Sequence, residues 1–341
     1  MPATVNLPTV DAHAASIEFE VVDGADLRSL EQEWMTLWHQ CPDASPFATP
    51  GWLLAWAEHY RPRRFAAVVA RRGSTLAGLV AVHVSRRRIL LAGTGPSDFG
   101  DALVLPGCEG IVPQMLAALA EQVATGSSRR FDFRQLPPES VLAHAPTPHR
   151  WREQRTPDVV CPVLALAGAA GMDNLSARWR SNWRYALRRA RREGAVVELA
   201  GIDSVANTLE SLIELHGRCW RSRGRLGVFI DPRLANLVRD AGRSLAEQGL
   251  LRLHRLQSDE IVLAVLLAFT GHRQTHYYLS GFDPEFGQLS PGTILIGAAI
   301  EQAAIDGATA FHFLRGDEPY KYRWGAQDMP TQRRILTRTP A

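Results

Sequence analysis

Apolar residues recur along the chain at two periods. Between Leu27 and His39 they fall at Leu27, Leu30, Trp34, Leu37 and Trp38, the three-and-four spacing of a helix with one buried face. A second helix is predicted from about Pro50 to His59. The runs Phe65 to Arg71 and Thr75 to Val84 bracket Gly73-Ser74, which predicts two strands joined by a tight turn. A strand at Ile17 to Val22 precedes these elements, and another at Arg88 to Ala92 follows them. After the loop GTGPSDFGD come a helix over about Gly110 to Ala124, a strand at Phe131 to Leu136, and a proline-rich loop, LPPESVLAHAPTPHR.

The second half repeats this order. Helices are predicted at about Leu175 to Glu193, Ser204 to Arg221 and Pro232 to Gln248. Strands at Leu250 to Gln257 and Ile261 to Thr270 flank Ser258-Asp259, and a third strand runs from Gln274 to Ser280. A helix from Gly292 to Ile305 and a strand from Thr309 to Leu314 close the copy. The pattern predicts a duplicated α/β unit: a loose tail over 1–16, one lobe over 17–165 and a second over 166–341.

Composition narrows the class. The 341 residues are 46% hydrophobic and 21% charged, with a net charge of +3, an ordinary globular balance with length for two domains and no case for nucleic-acid binding from charge alone. Cys41, Cys108, Cys161 and Cys219 form no CxxC pair and have no histidine at zinc-ligand spacing, which argues against a disulfide framework or a structural metal. The N-terminal MPATVNLPTVDAHAAS lacks the basic start and apolar core of a signal peptide. The longest apolar run, near Ile261 to Phe269, is too short to span a bilayer. A cytoplasmic protein is expected.

The helix start at Ser290 is strongly specified. Ser290 is a candidate N-cap, with Pro291 at the first helical position and Gly292 behind it. The unpaired N–H groups there favour an anion, although the same pattern also describes a capped helix without a ligand. The loop PEFGQLSPGT lies between a strand carrying His276 and the helix leading to Phe311. That strand–loop–helix–strand order predicts a cleft for a coenzyme A thioester, with Gly287, Ser290, Gly292 and Thr293 against the donor.

The same order is similar to the acyl-CoA core of the GNAT N-acyltransferases. The run GFDPEFGQLSPGTILIGAAIEQAAIDGATAFHFLRGDEPYKYRWG resembles the C-terminal signature of the CelD/BcsL-type acetyltransferases of cellulose and exopolysaccharide biosynthesis. Weaker resemblances lie in TPGWLLAWAEHY, SDFGDALVLPG, SNWRYALRRARREG and LHGRCWRSRG. The related FemAB-like peptidyltransferases join two GNAT-like lobes. The resemblance implies an α/β fold of two such lobes and an acyltransferase using acyl-CoA as co-substrate, with no tightly bound cofactor or metal. Its acceptor would be a sugar or amine, and its setting polysaccharide biosynthesis. The usual GNAT pyrophosphate motif, a basic residue or Gln followed by xxGxG or xxGxA, is not matched at this loop. A FemAB-like transferase using aminoacyl-tRNA, and a non-catalytic accessory of a polysaccharide synthase, are the alternatives.

Two stretches carry candidate chemistry. In FHFLRGDEPYKYRWG, Asp317 is the first candidate to take the acceptor's proton and His276 the second. Arg315 and Lys321 are placed to hold an anionic substrate or to set Asp317, unless the three form only a local salt bridge. By the resemblance, Tyr320 is the proton donor to the leaving thiolate. In ARWRSNWRYALRRARREG, Trp179, Trp183, Ala186, Leu187 and Ala190 mark the buried face, and Arg180, Arg184, Arg188 and Arg191 line a flank. That flank is either a solvated face or a phosphate contact through Arg184 and Arg188. Its surroundings do not resemble a DNA-reading module. Trp220 is either core or a platform for a sugar ring.

Overall fold

The computed structural model describes residues 16–123, 130–166 and 175–339. The tail expected over 1–16 lies, apart from Ser16, outside them. In chain order the first half consists of β1 (Ile17–Asp23), α1 (Glu31–Gln40), α2 (Pro50–Tyr60), β2 (Phe65–Arg72), β3 (Thr75–Ser85), β4 (Arg88–Leu91), β5 (Leu103–Val104), α3 (Val112–Gln122), β6 (Arg130–Leu136), α4 (Val141–His144) and β7 (Trp151–Ala165). The second consists of α5 (Ala177–Arg192), β8 (Ala195–Leu199), α6 (Val205–Arg221), α7 (Pro232–Glu247), β9 (Leu251–Ser258), β10 (Ile261–Gly271), β11 (Gln274–Phe282), α8 (Pro291–Ile305), β12 (Ala310–His312), α9 (Pro319–Arg323) and β13 (Gln327–Arg338).

The strands form one mixed sheet in the order β1-β2-β3-β4-β6-β13-β7-β12-β11-β10-β9-β8, with β5 beside β3. Two pairs are parallel, β4 with β6 and β11 with β12. Each is bridged by a helix, α3 in one half and α8 in the other, as parallel pairing requires a crossover. The repeated order is therefore visible as two similar α/β units. Their last strands are exchanged: β7, which follows β6, lies against β12, and β13, which follows β12, lies against β6. β7 and β13 pair with each other along most of their length.

Neither long central strand is legible in the sequence pattern. Pro157, Pro162 and Pro330 read as strand breakers, yet all three sit within the β7–β13 register. The loop expected at LPPESVLAHAPTPHR contains the single-turn helix α4. The second hairpin turns at Asp259-Glu260, one residue later than expected, with Asp259 at φ 50°.

Helix starts follow local chemistry. Thr49 caps α2 by accepting from the Trp52 N–H at 3.3 Å, and Pro50 takes the first helical position. Asp231 and Pro232 repeat the device at α7. Helix α5 buries Trp183, Ala186 and Ala190 against α8, whose apolar residues surround its axis because it lies between α5 and the sheet. One core joins the halves, with Trp34, Phe47 and Trp52 packed in the same cluster as Leu212, Leu237 and Phe269. All four cysteines are buried free thiols.

Two glycines set helix positions around the later cleft. A Cβ on Gly281 of β11 would lie 2.2 Å from the backbone nitrogen of His216, so α6 rests directly on that strand. A Cβ on Gly297 of α8 would lie 2.2 Å from Trp183 Nε1, the group that donates to the Ile294 carbonyl at 3.2 Å. Gly297→Ala forces α5 off α8 and is expected to cost about 1–3 kcal/mol in urea unfolding. Unaltered stability would contradict that close approach.

Candidate active site

The site begins where two strands part. β11 and β12 pair through His276 and His312; beyond that point β11 continues to Phe282. The other chain stays with β7, the Phe313 N–H donating to Pro162 at 2.9 Å and the Gly316 N–H to Val160 at 3.0 Å. It then turns through Leu314 at φ 57° and Gly316 at φ 104° into α9. The wedge between the two opens into a cleft of about 1090 Å³. Its walls are β11, residues 313–315, α9, the start of α8 and the end of α6, and the first half contributes Gly95, Pro96 and Asp98.

Gly292 and Thr293 line the cleft at the N-terminus of α8. Pro291 has no N–H and the first helical bond comes from Ile294 to Ser290, so the Gly292 and Thr293 amides form the positive helix end there. Ser290 occupies the N-cap position in a left-handed conformation, φ 59°, and its hydroxyl makes no capping bond. Ser290 and Gly287 are exposed and lie outside the lining.

Three tyrosines occupy the interior. Tyr320 hydrogen-bonds Tyr277, whose hydroxyl is 2.6 Å from Ser280 Oγ. Burial raises the pKa of both phenols, so both are neutral donors. The Tyr278 hydroxyl donates to the Pro96 carbonyl at 2.8 Å, and Trp220 and Arg223 stand at the lip, the guanidinium 5.9 Å from the indole centroid.

The cations of the signature serve the backbone. Lys321, only 2% exposed, donates to the carbonyls of Leu314 at 3.2 Å, Arg315 at 2.7 Å and Gly316 at 3.0 Å, and lies 2.9 Å from Glu318 Oε2. Arg315 donates to the Gly95 and Ser97 carbonyls at 2.7 and 3.3 Å. Its Nε stands 2.8 Å from Asp98 Oδ1; the contact is an ion pair whose geometry gives that oxygen no hydrogen bond. The backbone N–H of Arg315 also reaches the carboxylate. Asp98 is 3% exposed, and burial pushes its pKa up to about 6 against the pull of Arg315 and Lys321.

Of the residues singled out by sequence, Gly292, Thr293, Arg315, Tyr320, Lys321 and Trp220 line this cleft; Asp317, His276, Gly287, Ser290, Arg184 and Arg188 do not. Asp317 is exposed on the turn, and Arg184 and Arg188 are exposed on α5. His276 is buried behind the wedge, stacked on His312 with ring centroids 4.6 Å apart and bordered by Phe47 and Phe99. Burial lowers the pKa of both imidazoles, His312 to about 4. The sequence reading assigned no role to Asp98, Tyr277 or Glu318. The only signal for Asp98 was its place in SDFGDALVLPG.

Residues 177–322, which include most of the cleft lining, match the sequence model of the family described as Acetyltransferase (GNAT) domain. A search of curated protein sequences finds no match. Among solved structures the chain is similar to FemX, with TM-score 0.63 and 13% identity over 89% of this chain and 95% of that one. A C-terminal domain (DUF2156) assigned to a lysylphosphatidylglycerol synthetase from Agrobacterium fabrum gives TM-score 0.60 and 13% identity over 92% and 93% of the two chains. L-PGS from Bacillus licheniformis gives 0.54 and 13% over 78% and 82%. At these identities the likeness concerns the fold. Among the described residues no helix is long and apolar enough to cross a membrane.

Lys321→Met leaves three buried or half-buried carbonyls without their donor and is expected to lower stability by at least about 2 kcal/mol in urea unfolding; a lysine serving only a ligand would leave stability unchanged. The histidine pair predicts a pH effect. Above about pH 6.5 imidazoles are neutral in folded and unfolded chains alike. As pH falls from there to about 4, the unfolded chain binds protons that the folded chain refuses, and stability drops. Unfolding free energies at pH 7 and pH 4.5 should show this loss, and His312→Phe should shrink it. An undiminished loss in that variant would place the titrating groups elsewhere.

Proposed function

We propose that this protein is an acyltransferase that takes an acyl-CoA, acetyl-CoA in the simplest case, into the wedge between β11 and residues 313–316. It passes the acyl group to an amine or hydroxyl acceptor entering beside α6. The observation that carries this reading is the parting of the two parallel strands with the α8 N-terminus at the opening. There the Gly292 and Thr293 amides suit a pyrophosphate, with Gly287 and Ser290 on its outer side, and the free edge of β11 beyond His276 suits a pantetheine amide chain.

The cleft favours direct transfer over a covalent intermediate. Cys219 lines it, but burial raises its pKa and keeps the thiol protonated. His216 also lines it, with Nδ1 donating to the Ser280 carbonyl at 2.8 Å, Nε2 accepting from the Val228 N–H at 3.4 Å, and a pKa lowered by burial. Both its nitrogens are occupied. Tyr320 is then the group that donates a proton to the departing thiolate, backed by Tyr277 and Ser280. Trp220 at the lip suits stacking on a sugar ring, which supports a sugar acceptor and a role in cellulose or exopolysaccharide biosynthesis of the CelD/BcsL kind. In this reading the lobes divide at 165/166 and each lends its final strand to the other.

A second reading is favoured by the exposed arginines of α5. Arg184 and Arg188 lie outside the cleft and suit a ligand too large for it, such as the tRNA of a FemAB-like transfer. A non-catalytic accessory of a polysaccharide synthase would keep the fold without turnover.

Calorimetry separates these readings. Acetyl-CoA should bind and raise the melting temperature. Thr293→Glu should weaken that binding tenfold or more by setting a carboxylate against the phosphates, while stability holds or rises, because an acid at a helix N-terminus is worth about 0.3–1 kcal/mol. No heat with acetyl-CoA, together with aminoacyl-tRNA binding that is lost in Arg184→Gln/Arg188→Gln, would transfer the assignment to the second reading.

A further inference from the structure

Proton uptake from the acceptor has no residue assigned to it once the candidates are placed. Asp317 faces solvent outside the cleft, His276 is sealed behind it, and His216 has both nitrogens occupied. Among the described residues the cleft lining holds two carboxylates, Glu318 and Asp98. The Glu318 side chain is 55% exposed and held by Lys321. Asp98 differs in each respect. It comes from the first half, lines the cleft while 3% exposed, and its buried Oδ1, beside the Arg315 guanidinium, receives no hydrogen bond. Its loop is fixed from the other half by Arg315 on Gly95 and Ser97 and by Tyr278 on Pro96.

We propose that Asp98 is the catalytic base of the transfer, a carboxylate delivered by one half into the acyl-donor wedge of the other. The inference rests on the acyl-transfer reading above. In the step, the acceptor nitrogen or oxygen attacks the thioester carbonyl carbon, the new C–N or C–O bond forms and the C–S bond breaks. The acceptor's proton passes to Asp98, and the thiolate takes the Tyr320 proton. Solvent then carries the proton from Asp98 back to the tyrosinate.

The groups facing Asp98 suit that task. Arg315 and Lys321, Cys161 of β7 and Tyr278 of β11 all lie close enough to interact with its charge. The cations keep the carboxylate ionised at neutral pH, while burial keeps it basic enough to take a proton. Because the ionised form is the active one, turnover should fall as pH drops through about 6.

The test uses the full chain with acetyl-CoA, with glucosamine or water as acceptor, and follows release of the coenzyme A thiol against pH. Asp98→Asn should lower turnover by roughly 10²- to 10⁴-fold, abolish the acid limb and leave acetyl-CoA binding within a few-fold by calorimetry. Arg315→Gln keeps the carboxylate but removes the cation beside it, so the acid limb should move to higher pH. A purely structural ion pair would not move a kinetic limb. Wild-type turnover that is matched by Asp98→Asn, or a limb that stays in place in both variants, overturns the role of Asp98 alone. No thiol release by the wild-type chain from bound acetyl-CoA overturns the acyl-transfer reading and this inference with it.

Discussion

Between β6 and β12 the sheet is continuous only because β13 and β7 lie side by side there, each bound on its other edge to a strand of the opposite half. This exchange dictates the path of residues 313–326. β12 neighbours β7, and β13 lies on the far side of β7, so the chain must leave the sheet, pass over one strand and return. In doing so it parts from β11. The cleft is the space left by that detour, and α9 fills its turn. A simple sequential order, with β13 directly beside β12, would need no such excursion.

The excursion turns sharply and is held by charge. Leu314 and Gly316 adopt left-handed conformations, costly for the former, and their carbonyls point inward where water does not reach all of them. Lys321 answers these carbonyls from within the same turn, and Arg315 performs the equivalent task across the junction with the first half. Two residues whose charge would otherwise serve an anionic ligand thus hold the frame. Among the other groups of the lining are neutral phenols and one buried carboxylate, and where such groups are buried each hydrogen bond and charge acts more strongly than in water. Behind the parting strands, Phe47, Phe99, His276 and His312 pack as a buried cluster of rings.

The pattern of apolar positions was enough to read the longer helices, the hairpins and the repeated order of the two halves, because period, capping residues and turn residues act over a few positions. It was also enough to locate α5's buried face; Gly292, Thr293, Arg315, Tyr320, Lys321 and Trp220, which line one cleft, all belong to the second half and lie near the ends of helices or strands. Strands β7 and β13 were not legible. Their prolines and charges argue against strands locally, and their pairing joins residues such as Pro157 and Gln332 that no local rule connects.

Position within the cleft was likewise a matter of tertiary structure. Asp317 and Arg315 are two residues apart in a conspicuous motif, yet the turn at Gly316 sends one to solvent and the other across to Asp98. Gly287 and Ser290 share a loop with Gly292, but only the helix end reaches the lining. Asp98 itself belongs to the other half, where nothing nearby in sequence predicts a partner. The sequence by itself determined the longer helices, the hairpins and where their polar residues cluster. Only the tertiary structure decided which of those residues meet, because the exchange of β7 and β13 brings together segments far apart along the chain, and burial then assigns each charged group its role.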